Sequence, residues 1–427
     1  MAVNEIPQVI YAPQKIFKKI IENPKYLAAI IIFILFIGVM ISYEYVQFSK
    51  TYVENTTPTV GNLPTFLNAT VWTAPSYENL TNNYSDIFNY SVYVAALGTS
   101  PSDVSGYYSL FGNASLEMDA INADNVTATI SNVFDVNCGA PSGFQNLSIT
   151  IKQAEPSVAP QSATLTLYSL NDSNFYTYDL TSDLSSASAI GLWNNLTIPV
   201  GPNAGWAVGG GSPSWGNVTA LQLTLNYPSG SNITVRIGAL FFRGQYESAL
   251  ALDGTEFVLG FLEAFSLQFL FTWFVLTGLI YLLFKALKAT VTWKPLFIAV
   301  SFGLLVMVIR GVVNVAAAAT LPTVYYPFEA TLATGPNLLG ALTYPSAALG
   351  ALSTQSQAAV NAIYSATAGF GDVVLVMFAV SYVWLGALCT IIIGTLKPDY
   401  SMTKKIAISG VSIGATILLL LLLIGVV

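Results

Sequence analysis

Five long apolar runs constrain this chain more than any other feature. Several carry no ionisable group over roughly 20 residues, the length that crosses a bilayer core as a helix. Backbone inside hydrocarbon must satisfy its own hydrogen bonds, so runs of this kind fold as helices. The spans are expected at 26–48, 257–284, 296–319, 370–396 and 406–427. Only 9% of the 427 residues are charged, against about 25% in ordinary soluble domains, and the shortage is uneven. Residues 49–250 are polar and rich in Ser, Thr, Asn, Tyr and Gly. The chain therefore divides into a five-span helical bundle, split in sequence, and one large domain inserted after the first span.

Lysines orient the bundle. Lys15, Lys18, Lys19 and Lys25 precede the first span, Lys285, Lys288 and Lys294 separate the second from the third, and Lys397, Lys404 and Lys405 separate the fourth from the fifth. The excess of lysine in cytoplasmic loops predicts a multi-pass protein of the cell membrane, N-terminus inside and C-terminus outside, with 49–250 extracellular. The first run ends in Phe48-Ser49-Lys50 rather than in small residues at a cleavage site, so it reads as an uncleaved anchor. Within residues 1–25, Ile16, Phe17, Ile20 and Ile21 share a helical face opposite Lys15, Lys18 and Lys19, the pattern of a cytoplasmic helix lying on the membrane surface. The remaining spans fall in 251–427. There the stretch 320–362 has no Lys or Arg and is broken by Pro322, Pro327, Pro336 and Pro345, which predicts broken helices or a re-entrant outer segment.

The inserted domain is acidic. Between Lys50 and Asp253 it holds four basic residues against fourteen acidic ones, which argues against nucleic acid as a partner. Asn-x-Ser/Thr triplets stand at Asn55, Asn68, Asn79, Asn83, Asn89, Asn113, Asn125, Asn146, Asn171, Asn195, Asn217 and Asn232, all in this one compartment, so N-linked glycans are expected. Alternating runs such as Leu147–Ile151, Thr164–Tyr168, Leu221–Leu225 and Ile233–Ile237, separated by Gly, Pro, Asn and Ser, predict an all-β sandwich. Residues 49–105 are less regular and read as a stalk or a small sheet.

Trp193-Asn194-Asn195-Leu196-Thr197-Ile198, then Trp206, Trp215-Gly216-Asn217-Val218-Thr219 and a last strand through Phe241-Phe242 resemble the later strands of galactose-binding-like jelly rolls. Trp193, Trp206 and Trp215, with Tyr227, are the candidates for stacking on sugars.

Ionisable side chains inside spans are costly and point to a role. Glu263, Arg310 and Asp372 fall at similar depth below the outer surface, which predicts an ion cluster joining three helices. There is no histidine, and the two cysteines, Cys138 and Cys389, lie in different regions. Histidine-based triads and metal sites are thereby excluded, and the expectation is no metal, no cofactor, no disulfide and no enzyme.

The segment Pro13-Gln14-Lys15-Ile16-Phe17-Lys18-Lys19-Ile20-Ile21-Glu22-Asn23-Pro24, the five spans and the closing Lys-Pro…Lys-Lys hairpin resemble the Yip (Ypt-interacting protein) family in its prokaryotic, archaeal form. This resemblance covers about half of the chain, implies no catalytic residues, and differs from that family by the large insertion after span one. Low charge and abundant hydroxyls fit an archaeon in harsh, acidic surroundings. The leading expectation is a non-catalytic membrane scaffold or accessory subunit, docked to other membrane proteins or to copies of itself. The alternatives are a transporter or channel component that uses the Glu263/Arg310/Asp372 cluster, and a surface carbohydrate-binding or adhesion protein.

Overall fold

The computed structural model describes residues 6–74, 78–88, 113–139, 142–186, 190–328, 330 and 354–423. Two hydrophobic cores organise it, one between helices and one between strands.

Helix α1 (Pro13–Glu22) precedes α2 (Tyr26–Ser49). After the β-domain come α3 (Ala249–Ala286), α4 (Trp293–Gly303), α5 (Leu305–Ala319), α6 (Thr354–Leu396) and α7 (Met402–Leu423). Among the described residues five helical segments are long and apolar enough to cross a membrane, α4 and α5 counting together as one. That third segment is the most buried of the five and forms the axis of the bundle. It breaks at Leu304, where the backbone leaves the ideal helix (φ −67°, ψ −6°). Gly311 admits α2 closely. A Cβ there would lie 2.6 Å from Val39 Cγ1 and 3.5 Å from Met40 Sδ, the close approach that small residues allow between membrane helices. The longest helix, α6, has 43 residues, about 65 Å at 1.5 Å per residue, far more than a hydrocarbon core of about 30 Å. It begins sixteen residues before the expected 370, because Ala- and Ser-rich 354–369 continues the helix without Pro.

Lysine clusters and β-domain occupy opposite ends of this bundle. At one end Lys294 lies over the Tyr26 ring (5.3 Å), and Phe284 meets Tyr400 across the α6–α7 turn. At the other, α2 runs into β1 (Thr51–Thr57) and β10 (Val218–Ser248) runs into α3. Helix α1 departs from the surface-helix expectation. Ile16, Phe17 and Ile20 are buried in the helical core, so its apolar stripe is covered by the bundle rather than offered to lipid.

The remaining strands are β2 (Trp72–Thr73), β3 (Glu78–Asn83), β4 (Ser115–Val136), β5 (Asn146–Glu155), β6 (Ser162–Ser169), β7 (Asn171–Asp179), β8 (Asn194–Pro199), β9 (Ala207–Gly210) and β11 (Val324–Tyr326). Long antiparallel β4 and β10 form a spine shared by two halves. One half adds β6, β7 and β9, with β2 on the other edge; the other adds β5 and β8, with β3 on the other edge. Both halves point their apolar faces into one core that includes Leu116, Leu167, Leu223, Ile237 and Phe242. The result is a sandwich-like all-β domain. Residues 51–74 and 78–83 are part of it rather than a stalk, since β1 pairs with β10 and β2 and β3 pair with β4.

The proline-broken stretch is described at its two ends only. Val324–Tyr326 adds a parallel strand beside β1, and Phe328 is fully buried in the β-domain core against Phe241 (5.3 Å). A buried phenylalanine contributes about 1.5–3 kcal/mol. The described part of 320–330 therefore bridges the two cores: Phe328 joins that of the β-domain, while Leu321, Val324, Tyr326 and Ala330 join that of the helices. Residues 331–353 and Asn89 lie outside the described residues.

Candidate functional site

Three places bring polar or aromatic side chains together. The first is the junction between bundle and β-domain. Glu54 on β1 is buried and accepts both Nε (2.9 Å) and Nη2 (2.8 Å) of Arg243, the Gly244 N–H (2.8 Å) and the Phe328 N–H (2.6 Å). Below it, Lys50 Nζ donates to the carbonyls of Ala319 and Leu321, each at 2.6 Å, closing the C-terminal end of α5. Neighbouring Asn55 donates to Glu247 (2.8 Å). One carboxylate thus ties three chain segments that sequence places far apart.

The second is a face of the sandwich where β3, β4, β10 and β5 lie side by side. Register alignment puts Glu117, Arg236 and Lys152 next to one another across three strands. Asp86, from the turn after β3, accepts from Lys152 (2.6 Å) and from Arg236 Nη1 (2.7 Å), while Arg236 Nε donates to Glu117 (2.6 Å). Trp193 Nε1 donates to Asp86 (3.3 Å), the Lys152 ammonium lies 5.9 Å from its ring centroid, and Phe88 packs beside it (5.6 Å). Gly238 makes this possible. A Cβ there would fall 2.2 Å from Phe88 Cβ and 3.0 Å from the Trp193 ring. Burial by itself would raise the Asp86 carboxyl, yet hydrogen bonds and charge from Lys152 and Arg236 outweigh it and hold the group below the usual carboxylate range. Asp119, two residues along β4, moves the other way, because burial outweighs its bond from Thr234.

The third is a ring cluster at the opposite edge. Trp215 stacks flat on Tyr176 (3.9 Å, 11°), Trp206 meets Trp215 edge-on (5.8 Å, 80°), and Tyr178 lies 5.2 Å from Trp206. Both tryptophans are half-buried. The Trp206 indole donates to the Pro199 carbonyl and the Tyr176 hydroxyl to Pro213, which fixes the rings. The three candidate tryptophans thus fall into two groups, since among the described residues no ring contact joins Trp193 to Trp206 or Trp215. Tyr227 belongs to neither. It is 1% exposed, packs in the β core and donates to Gln153 (2.9 Å).

The asparagine triplets divide by exposure. Asn68, Asn79, Asn113, Asn171, Asn195 and Asn232 are exposed, while Asn55, Asn83, Asn125, Asn146 and Asn217 are half-buried. Asn83 uses its amide nitrogen on Glu117, and Asn217 Oδ1 is buried.

Within the bundle the expected ion cluster is not assembled. Arg310 is 7% exposed, but Glu263 and Asp372 are exposed, and among the described residues neither pairs with it. Similar depth along three helices did not place the side chains on facing sides. Arg310 instead faces the Phe378 ring (5.6 Å) and lines a small pocket with Gln268, Thr272 and Tyr382. Sequence reading passed over these partners because neutral Gln, Thr and Tyr are ordinary in membrane helices. It also missed buried Glu44 on α2, although an acid inside the first apolar run was a usable signal.

No family model and no curated protein matches this chain. Solved structures similar to part of it include a family 11 carbohydrate-binding module from Clostridium thermocellum in complex with a mixed-linked tetrasaccharide, at 12% identity and a TM-score of 0.23, over 40% of this chain and 88% of that one. TmCBM61 in complex with β-1,4-galactotriose matches at 8% identity and a TM-score of 0.20, over 43% and 95%. An exo-β-agarase matches at 10% and 0.24, over 41% of this chain and 23% of that chain. Among the described residues no group of three Cys, Asp or Glu side chains has the geometry to hold a metal ion. Cys138 and Cys389 are both free and buried; burial pushes the Cys138 thiol up to about 12, which leaves it a poor nucleophile.

Proposed function

We propose that this protein is a non-catalytic membrane scaffold or accessory subunit, which holds a glycosylated β-domain at a fixed height and angle on the cell exterior and docks to other membrane proteins. The junction carries this reading. A tethered domain needs one flexible linker, whereas here the chain crosses between bundle and sheet through α2–β1, β10–α3 and α5–β11, and Glu54 and Lys50 lock the crossings together. Such fixation serves a part whose task is to hold a surface in register with neighbours. The six exposed triplets are the proposed carriers of glycan.

Two measurements test this. Protease added to intact cells is expected to cut within 49–250, and a glycosidase to sharpen the band of the purified protein; an inaccessible, sugar-free domain ends the exterior reading. Chemical cross-linking in native membranes is expected to capture the same membrane partner or a second copy reproducibly, and a strictly solitary monomer refutes the scaffold.

A second reading, carbohydrate binding, is favoured by the half-buried Tyr178–Trp206–Trp215 cluster, since a fixed ring edge at a surface suits the apolar face of a sugar. A glycan array probed with the full chain in nanodiscs discriminates. Binding that Trp206→Ala removes supports it, and no signal above background ends it.

A further inference from the structure

The pocket at Arg310 lies where α2, α3, α5 and α6 converge, lined by Phe36, Gln268, Thr272, Leu304, Arg310 and Tyr382 among others. On the helical rise Arg310 sits roughly 14 Å inside the β-domain end of α5, within the membrane-crossing part. Two polar atoms there are buried and without a partner among the described residues, Arg310 Nε and Gln268 Oε1, and both side chains are more than nine-tenths buried. Thr272 is otherwise engaged, its hydroxyl donating to the Gln268 carbonyl (2.7 Å). No carboxylate lines the pocket. Buried Glu44, on α2, is bonded by Gln47 (3.3 Å) and forms no ion pair with Arg310.

A guanidinium stays charged in any protein setting, so it cannot escape the cost of burial by losing its proton. The Phe378 face supplies a partial counter-charge only. The remaining partner must be negative and compact, because the centre of a water-sized sphere has only about 10 Å³ to move in, which suits a single small ion. Neutral donors, the Gln268 amide turned by half a rotation and the Tyr382 hydroxyl, would complete its coordination.

We propose that this pocket is a binding site for one monovalent anion of halide size, taken from solution and held by Arg310 with Gln268 and Tyr382. It is a stabilising site inside the bundle, independent of what the β-domain binds.

The test uses the full chain in phosphatidylcholine nanodiscs, melted at constant ionic strength with sodium gluconate replaced stepwise by chloride or bromide. The melting temperature is expected to rise saturably, by about 2 °C or more, and the rise is expected to vanish in Arg310→Gln. Should that variant fail to fold, Gln268→Leu keeps the charge and removes one donor, and its halide midpoint is expected to move up at least about fivefold. Equal melting in gluconate, chloride and bromide would mean that water alone occupies the pocket, and would overturn the proposal. So would a halide response of the same midpoint in Gln268→Leu and in any folded Arg310 variant. A response that appears only in Glu44→Gln would show that Glu44 is the counter-charge, and would overturn it too.

Discussion

Arg243 is half-buried and Arg310 fully buried, and the two regions treat them in opposite ways. In the β-domain, Arg243 is met by both oxygens of Glu54. The same domain pairs Asp86 with Lys152 and Arg236, and Arg236 with Glu117. In the bundle, Arg310 faces a ring and a pocket, and Glu44 faces an amide. The difference follows from the elements. Strand register sets Glu117, Arg236 and Lys152 at fixed lateral spacing, so opposite charges meet without effort. Helices turn by 3.6 residues, so charges at the same depth can face different neighbours, as Glu263 and Asp372 do. Charge in the sheet is therefore structural, and charge left uncompensated in the bundle points to something it serves.

The largest expected effect falls on the junction. Glu54→Ala removes the buried acceptor of four hydrogen bonds, two from Arg243 and two from backbone N–H groups, and the expected cost is about 3–5 kcal/mol, measured by denaturant unfolding in nanodiscs. A loss below 1 kcal/mol would show that the pair is dispensable and would break the contrast. Next, Arg310→Met in halide-free buffer should be neutral or stabilising, up to about 1–4 kcal/mol, because it removes an unpaired buried charge of similar volume. Arg243→Met should destabilise; if both behave alike, the two arginines are not different in kind.

Gly238→Ala should cost about 1–3 kcal/mol, since its Cβ collides with Phe88 and presses on Trp193. A shift in tryptophan emission would accompany it, and an unshifted spectrum with unchanged stability would mean that the two rings do not pack on β10. The smallest effect is the pH response of Glu78. Burial pushes its carboxyl up to about 7 despite the Thr127 N–H that it accepts. The folded state then holds this proton more tightly than the unfolded chain. Its stabilising contribution is complete at the acid side of the ordinary value near 4.5 and is lost as pH climbs through about 7. Glu78→Gln should flatten that decline in a pH series of melts, and a parallel curve would remove Glu78 from the account.

How much of this was readable in advance depends on the range of each interaction. Alternation in Leu221–Leu225 and Ile233–Ile237 gave both pieces of β10, because a half-buried strand writes period two into neighbouring residues. The fusion of those pieces into one 31-residue strand around Tyr227–Gly230 was not readable, since Pro and Gly there also signal an ordinary turn. Trp193, Trp206 and Trp215 were found as residues but not as a site. Nothing local says that Trp193 joins Asp86 from beyond a hundred residues away, or that Trp215 lies flat on Tyr176. Phe328 and Glu54 were invisible for the same reason.

By itself the sequence determined the helices long enough for a membrane, their lysine-marked end, and the β character of the insertion, because hydropathy, charge and alternation are properties of contiguous residues. Tertiary structure alone decided which charges meet. It gave Glu54 to Arg243, withheld Glu263 and Asp372 from Arg310, and folded the chain after α5 onto the sheet. Those outcomes rest on rotation about helix axes and on contacts between distant segments, which no local pattern encodes.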